Sequence, residues 1–201
     1  MDNSSLSFFS QAEGTDYLKF RAWRDRIFLP LCEFLSVRKV TPAFVTGAGG
    51  LMVVGFVYFF LFNPWISFVF LALNLFLDAL DGSLARYQKV QNTQGDLLDH
   101  AFDNLSFFVI FLTFLAFQLV HSFWAAVFLL NYSILIFFMV ILSARKVSLF
   151  LVVRAKYFVY LVFFWWLLTG ANFFNPVVIF FSVYMVVTNV FLFHKLRCSL
   201  S

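Results

Sequence analysis

Charge is scarce in this sequence. Of its 201 residues only 12% are charged, 63% are hydrophobic, and the mean hydropathy is +0.91. A soluble domain is about half apolar and about a quarter charged, so this composition excludes one. Disorder is excluded too, because a disordered chain needs low hydrophobicity and high charge. Cysteine is nearly absent: Cys32 and Cys198 are the only two, and neither has a metal-ligand neighbour at useful spacing. That rules out a disulfide scaffold and leaves both as packing residues. The first 20 residues mix Asp2, Glu13 and Asp16 with Lys19 and lack an apolar run, so no cleaved signal peptide is expected. There is no internal repeat, no low-complexity linker and no expected nucleic-acid partner.

What is abundant is apolar and aromatic. The 33 Phe, 7 Tyr and 5 Trp exceed what one soluble core of this size could bury. The chain reads as an all-α, polytopic integral membrane protein. A span takes about 20 residues, so six spans use most of the length and leave no room for a separate soluble catalytic domain. Six apolar segments are expected at 45–62, 65–82, 96–120, 122–143, 157–174 and 176–194. The joints alternate in character. Asn63-Pro64, His121 and Asn175-Pro176 are short and carry no Lys or Arg, whereas all 14 basic residues fall in the remaining joints and flanks. Under six spans every cation lies on one face, and the positive-inside rule makes that face, with both ends of the chain, cytoplasmic. A prokaryotic inner membrane is the expected location.

Residues 17–37 differ from the spans. Phe20, Trp23, Ile27, Phe28, Leu31, Phe34 and Leu35 recur at helical spacing, and Lys19, Arg21, Arg24 and Arg26 lie mainly away from that stripe. This pattern predicts an amphipathic helix in the headgroup plane, kinked at Pro30, serving as an anchor without chemistry of its own. The expected organisation is therefore an N-terminal segment, 1–44, with this helix, and a six-helix transmembrane domain, 45–201.

Of the ten acidic residues, five lie in the first 33 positions; the others, Asp78, Asp81, Asp96, Asp99 and Asp103, share one 26-residue window. A carboxylate at a membrane helix end is costly and by default marks function. Asp78, Asp81, Gly82 and Ala85 stand at i, i+3, i+4 and i+7, one helical face. Gly95, Asp99 and Asp103 stand at i, i+4 and i+8, again one face. A short hairpin near 86–95 makes the two helices antiparallel, so the acidic faces can oppose each other. Four carboxylates in close proximity repel one another and raise each other's pKa, and two divalent cations would cancel their charge. With no Cys or His ligand, the oxygen set suits Mg²⁺ or Mn²⁺ rather than Zn²⁺, and a metal pair about 4 Å apart is a common device for phosphoryl chemistry. Gly82 and Ala85 leave the acidic face bare, and Arg86 can meet a phosphate with a bidentate fork. Asp96, outside these faces, reads as a solvated N-terminal helix residue favoured by the dipole.

At these residues the sequence resembles a known family. Asp78-x2-Asp81-Gly82-x2-Ala85-Arg86-x8-Gly95-x3-Asp99-x3-Asp103 matches, without a gap or substitution, the signature of the CDP-alcohol phosphotransferases. The six-span layout, the amphipathic N-terminal helix and Thr41-Pro42-x3-Thr46 at the mouth of the first span are similar to that family as well. The resemblance implies that Asp78 and Asp99 contact both metals, Asp81 one and Asp103 the other. It makes Asp103 the general base that takes the acceptor's hydroxyl proton. It assigns Gly82, Ala85 and Arg86 to the cytidine nucleotide, with Thr41, Pro42 and Thr46 closing over it. Where the family often has Ser or Thr, three residues before the second glycine, this chain has Asn92. Homodimerisation, a CDP-diacylglycerol donor, a small alcohol acceptor and contact with membrane lipids are likewise implied.

A phosphorylated acceptor, such as glycerol 3-phosphate or inositol phosphate, would call for cations; Arg145, Lys146, Arg154 and Lys156 are candidates, with the positive-inside rule and headgroup contact as the plainer explanation. Asp99-His100-x2-Asp103 also resembles the choline and ethanolamine phosphotransferase branch, whose members are longer. A cation transporter or channel would need acids spread through the membrane depth on several spans, and here they sit on two adjacent helices near one face.

Overall fold

The computed structural model describes the backbone of residues 15–90, 93–144 and 155–198 and the side chains of 22–90, 101–142 and 155–197. The described residues form helices and turns only: α1 (Thr15–Val37), α2 (Pro42–Phe60), α3 (Pro64–Tyr87), α4 (Thr93–Ala116), α5 (Ser122–Ala144), α6 (Ala155–Thr169) and α7 (Phe174–Cys198). Their starts are written in the sequence. Thr41 caps α2, its hydroxyl accepting from the Phe44 N–H at 3.3 Å, and Asn63 caps α3 by accepting from the Trp65 N–H at 2.9 Å. Each cap is followed by a proline at the first helical position, where a missing N–H costs nothing.

Each of the six expected apolar segments falls on a helix, α2 to α7. Four helices, 42–60, 64–87, 122–142 and 174–197, are long and apolar enough to cross a membrane, and only 28–33% of their apolar windows is buried by protein. Such outward-facing apolar surface fits an integral membrane protein. The apolar parts of the other two are shorter, 101–116 and 155–169. Those two stretches are bounded by the described residues, with α4 itself running Thr93–Ala116 and α6 Ala155–Thr169.

The chain divides into two compact units, Met1–Ile110 and Phe111–Ser201, with the boundary inside α4. In the first, α2 and α3 form a tight hairpin. Gly55 of α2 meets the Phe70 ring so closely that a Cβ there would overlap it. Polar side chains answer opposing carbonyls across the pair: Ser67 Oγ donates to the Phe56 carbonyl at 3.0 Å and Asn74 Nδ2 to that of Gly49 at 3.1 Å. Helix α1 runs continuously through Pro30 and packs on α3. Its apolar stripe is divided: Phe28, Leu31 and Leu35 join buried Cys32, Val45, Leu80 and Leu84 in one cluster, while Trp23, Ile27 and Phe34 remain more than half exposed. In the second unit Phe111 stacks on Phe128, Phe114 lies between Phe163 and Phe174, and Asn189 Nδ2 donates to the Asn131 carbonyl at 3.0 Å.

Candidate active site

One face of α3 and one of α2 meet the start of α4 around an open cleft. Asp78 and Asp81 line it from α3, Asp103 from α4 and Thr46 from α2. Helical spacing explains the convergence, since Asn74, Asp78 and Asp81 follow i, i+4, i+7, and Asp103 and Ser106 follow i, i+3. Asp81 is 3% exposed, and the Thr46 hydroxyl donates to its Oδ2 at 2.8 Å. Asp78 and Asp103 are partly exposed. Asp99 lies one turn before Asp103 on α4, its side chain outside the described residues. Among the described residues no three acidic, His or Cys side chains gather tightly enough to hold an ion by themselves. Among the described residues the lining nonetheless offers carboxylate and hydroxyl oxygens and no thiol or imidazole, a donor chemistry that fits a hard divalent cation.

The expected nucleotide residues are not all in this cleft. Thr41 is spent as the α2 cap, and Pro42 begins the helix; neither lines the cleft. Gly82 and Ala85 lie on α3 beyond it. The fork of Arg86, expected to face a phosphate, is taken by a residue the sequence had not singled out. Arg86 Nε donates to Asp25 Oδ2 at 2.7 Å, Arg86 Nη2 donates to Asp25 Oδ1, and the Ser83 hydroxyl donates to Oδ1 at 2.8 Å. Burial pushes the Asp25 carboxyl up, but the hydrogen bonds from Arg86 and Ser83 and the charges of Arg86 and Arg24 together outweigh it and hold its pKa below the ordinary carboxylate value. The end of α3 is also tied down, since Gln88 Nε2 donates to the Val40 carbonyl at 2.9 Å.

Sequence reasoning missed further lining. Gly49 and Gly50 leave the α2 wall bare, Asn74 sits one turn from Asp78, and Phe102 and Ser106 flank Asp103. The signal was present: 47–50 is a run of small residues one step past Thr46, and Asn74 continues the acidic face. Of the candidate acceptor cations, Arg145, Lys146 and Arg154 lie outside the described residues, as does Asn92. Lys156 is 4% exposed in the first turn of α6, its Nζ 5.2 Å from the Tyr157 ring centroid, a cation–π distance.

The family model described as CDP-alcohol phosphatidyltransferase matches residues 39–193. A protein of Aquifex aeolicus (strain VF5), described as uncharacterized, is 31% identical over 90 residues. That match covers 44% of this chain and 45% of the relative, so less than half of the relative's length is spanned.

Proposed function

Because the chain belongs to the CDP-alcohol phosphatidyltransferase family, we propose that its acidic cleft moves the phosphatidyl group of CDP-diacylglycerol to the hydroxyl of a small alcohol, releasing CMP. The observation that carries this reading is the shared lining of one cleft by Asp78, Asp81 and Asp103 from two helices. Asp78, Asp81, Asp99 and Asp103 would hold two divalent cations, Mg²⁺ or Mn²⁺, which when bound would supply charge neutralisation for the diphosphate and its leaving group. Asp103, partly exposed and so reachable, takes the proton of the acceptor hydroxyl. The acceptor oxygen then bonds to the β-phosphorus, the bond from that phosphorus to the bridging oxygen breaks, and CMP leaves with the bridging oxygen. Asp81 is fixed in place by the Thr46 hydroxyl. Gly82, Ala85 and Arg86 form the nucleotide side, with Thr41, Pro42 and Thr46 at the start of α2 next to it.

The six apolar helices cross the bilayer in this reading, α1 lies in the headgroup plane, and the cations face the cytoplasm with both chain ends. The donor then enters laterally from the membrane and the acceptor from the cytosol. Arg145, Lys146, Arg154 and Lys156 hold the phosphate of an acceptor such as glycerol 3-phosphate or inositol phosphate. By family likeness the enzyme works as a homodimer.

The test is CMP release by the purified chain with CDP-diacylglycerol and Mg²⁺, offered glycerol 3-phosphate, inositol phosphate, free inositol and serine in parallel. Release with one phosphorylated acceptor is expected. Silence with all four, with turnover of CDP-choline or CDP-ethanolamine on diacylglycerol instead, would move the chain to the other branch.

A further inference from the structure

The residue after Asp81 is bare, and two guanidinium groups from two helices stand over it. A methyl group placed on Gly82 would lie 3.4 Å from Arg86 Nη1 and 3.9 Å from Arg24 Nη2. Those are ordinary contact distances, so packing does not demand a glycine; what a side chain would fill is the space between the cations. Arg86 is oriented by its other nitrogens. Nε and Nη2 are bound by Asp25, Nη2 also lies 3.1 Å from Ser83 Oγ, and the Nη1 edge is left toward Gly82. Arg24 comes from α1, next to Asp25 in sequence. Its Nε is buried and has no hydrogen-bond partner among the described residues. The Asp25 carboxylate is 3.9 Å away, beyond hydrogen-bond reach.

Arg86 and Arg24 share the single carboxylate of Asp25, and only Arg86 is hydrogen-bonded to it. A buried donor without an acceptor is costly, and a guanidinium fork is best matched by the oxygens of a carboxylate or phosphate. The bare backbone beneath lets such an anion approach closely.

We propose that Arg24 binds the diphosphate of the cytidine nucleotide and that Asp25 is a positioning residue that aims Arg86 at the same anion. This rests on the nucleotide reading above and makes α1 part of the active site rather than an anchor alone. A phosphate could also reach Arg24 from a lipid headgroup, and the two sources are separable.

The experiment is calorimetric binding of CDP and of cytidine, with Mg²⁺, to the full chain in a detergent without phosphate. Arg24→Gln should weaken CDP about tenfold or more, as loss of a charge-assisted contact does, and leave cytidine within about twofold. Arg26→Gln, an exposed cation two residues on, should leave CDP unchanged. Arg24→Lys, which keeps the charge without the fork, should fall between wild type and Arg24→Gln and serves if the Gln variant does not fold. Asp25→Asn should weaken CDP, Asp25→Glu should recover most of it, and Asp25→Asn should add nothing in an Arg86→Gln background. Equal loss of CDP and cytidine would mean a deformed pocket and overturn the proposal. CDP binding unchanged by Arg24→Gln, with activity lost only in anionic-lipid vesicles, would overturn it in favour of a headgroup contact. Wild-type chain that binds no CDP would instead remove the nucleotide reading itself.

Discussion

Asp81 and Asp103 are the same side chain in two settings, and the difference is consistent with the roles proposed for them. Asp81 is buried and held by the Thr46 hydroxyl at 2.8 Å, while Asp103 is partly exposed and lines the cleft from α4. A fixed carboxylate suits an ion and a reachable one suits a proton. Thr46→Val keeps the shape and removes the donor, so the Mg²⁺ needed for half-maximal CMP release should rise about tenfold; an unchanged requirement would deny the contact a role. Asp25 makes a second prediction, by pH. Its carboxyl titrates below the ordinary value when α1 is docked and near about 3.9 when it is not. Its stabilisation is therefore complete above about pH 4 and lost as pH falls through the docked value. Thermal midpoints of wild type and Asp25→Asn should differ at pH 7 and converge in acid; a gap that persists at low pH would contradict this. The acidic faces were legible in the sequence because i, i+3, i+4 and i+7 spacing is local. Asp25 was not, because its partner Arg86 is 61 residues away and nothing periodic links an acid among cations on one helix to the end of another.

At the scale of elements, the apolar segments were more legible than the helix starts. Thr41-Pro42 and Asn63-Pro64 pair a capping oxygen with a proline and begin α2 and α3 ahead of the segments expected from 45 and 65. The docking of α1 was less so. Helical periodicity gave its apolar stripe, but a stripe does not distinguish lipid from protein, and here Phe28, Leu31 and Leu35 take protein while Trp23 and Phe34 do not. Nor does hydropathy reveal that α2 and α3 meet through Gly55. Its missing Cβ is filled by the Phe70 ring, which stacks on Phe59 with centroids 5.0 Å apart. Gly55→Ala should destabilise the hairpin by about 1–3 kcal/mol, the usual cost of overpacking, read as a lower thermal midpoint. Adding Phe70→Leu should recover most of the loss. A neutral Gly55→Ala would mean that the two helices are not held this closely.

For the whole molecule, composition sufficed to read an all-helical membrane protein, and the four long apolar helices agree with it. The number of crossings is harder to read, because Asp96, Asp99 and Asp103 fall in the first turns of α4. Six crossings predict a pattern of access. In a background with Cys32 and Cys198 changed to Ser, a cysteine at Phe62 or Phe173 should react with an impermeant maleimide from outside the cell. A cysteine at Lys89 or Lys195 should react only after permeabilisation, and labelling of all four from one side would contradict the topology. The central claim is that the cleft performs transfer with Asp103 as its base. The most direct measurement compares wild type with Asp103→Asn for CMP release and for CDP binding in the same preparation. Turnover should fall by about 10²–10⁴-fold, the reach of general-base catalysis, with CDP affinity largely retained. Affinity lost in step with turnover, or turnover retained, would contradict that role.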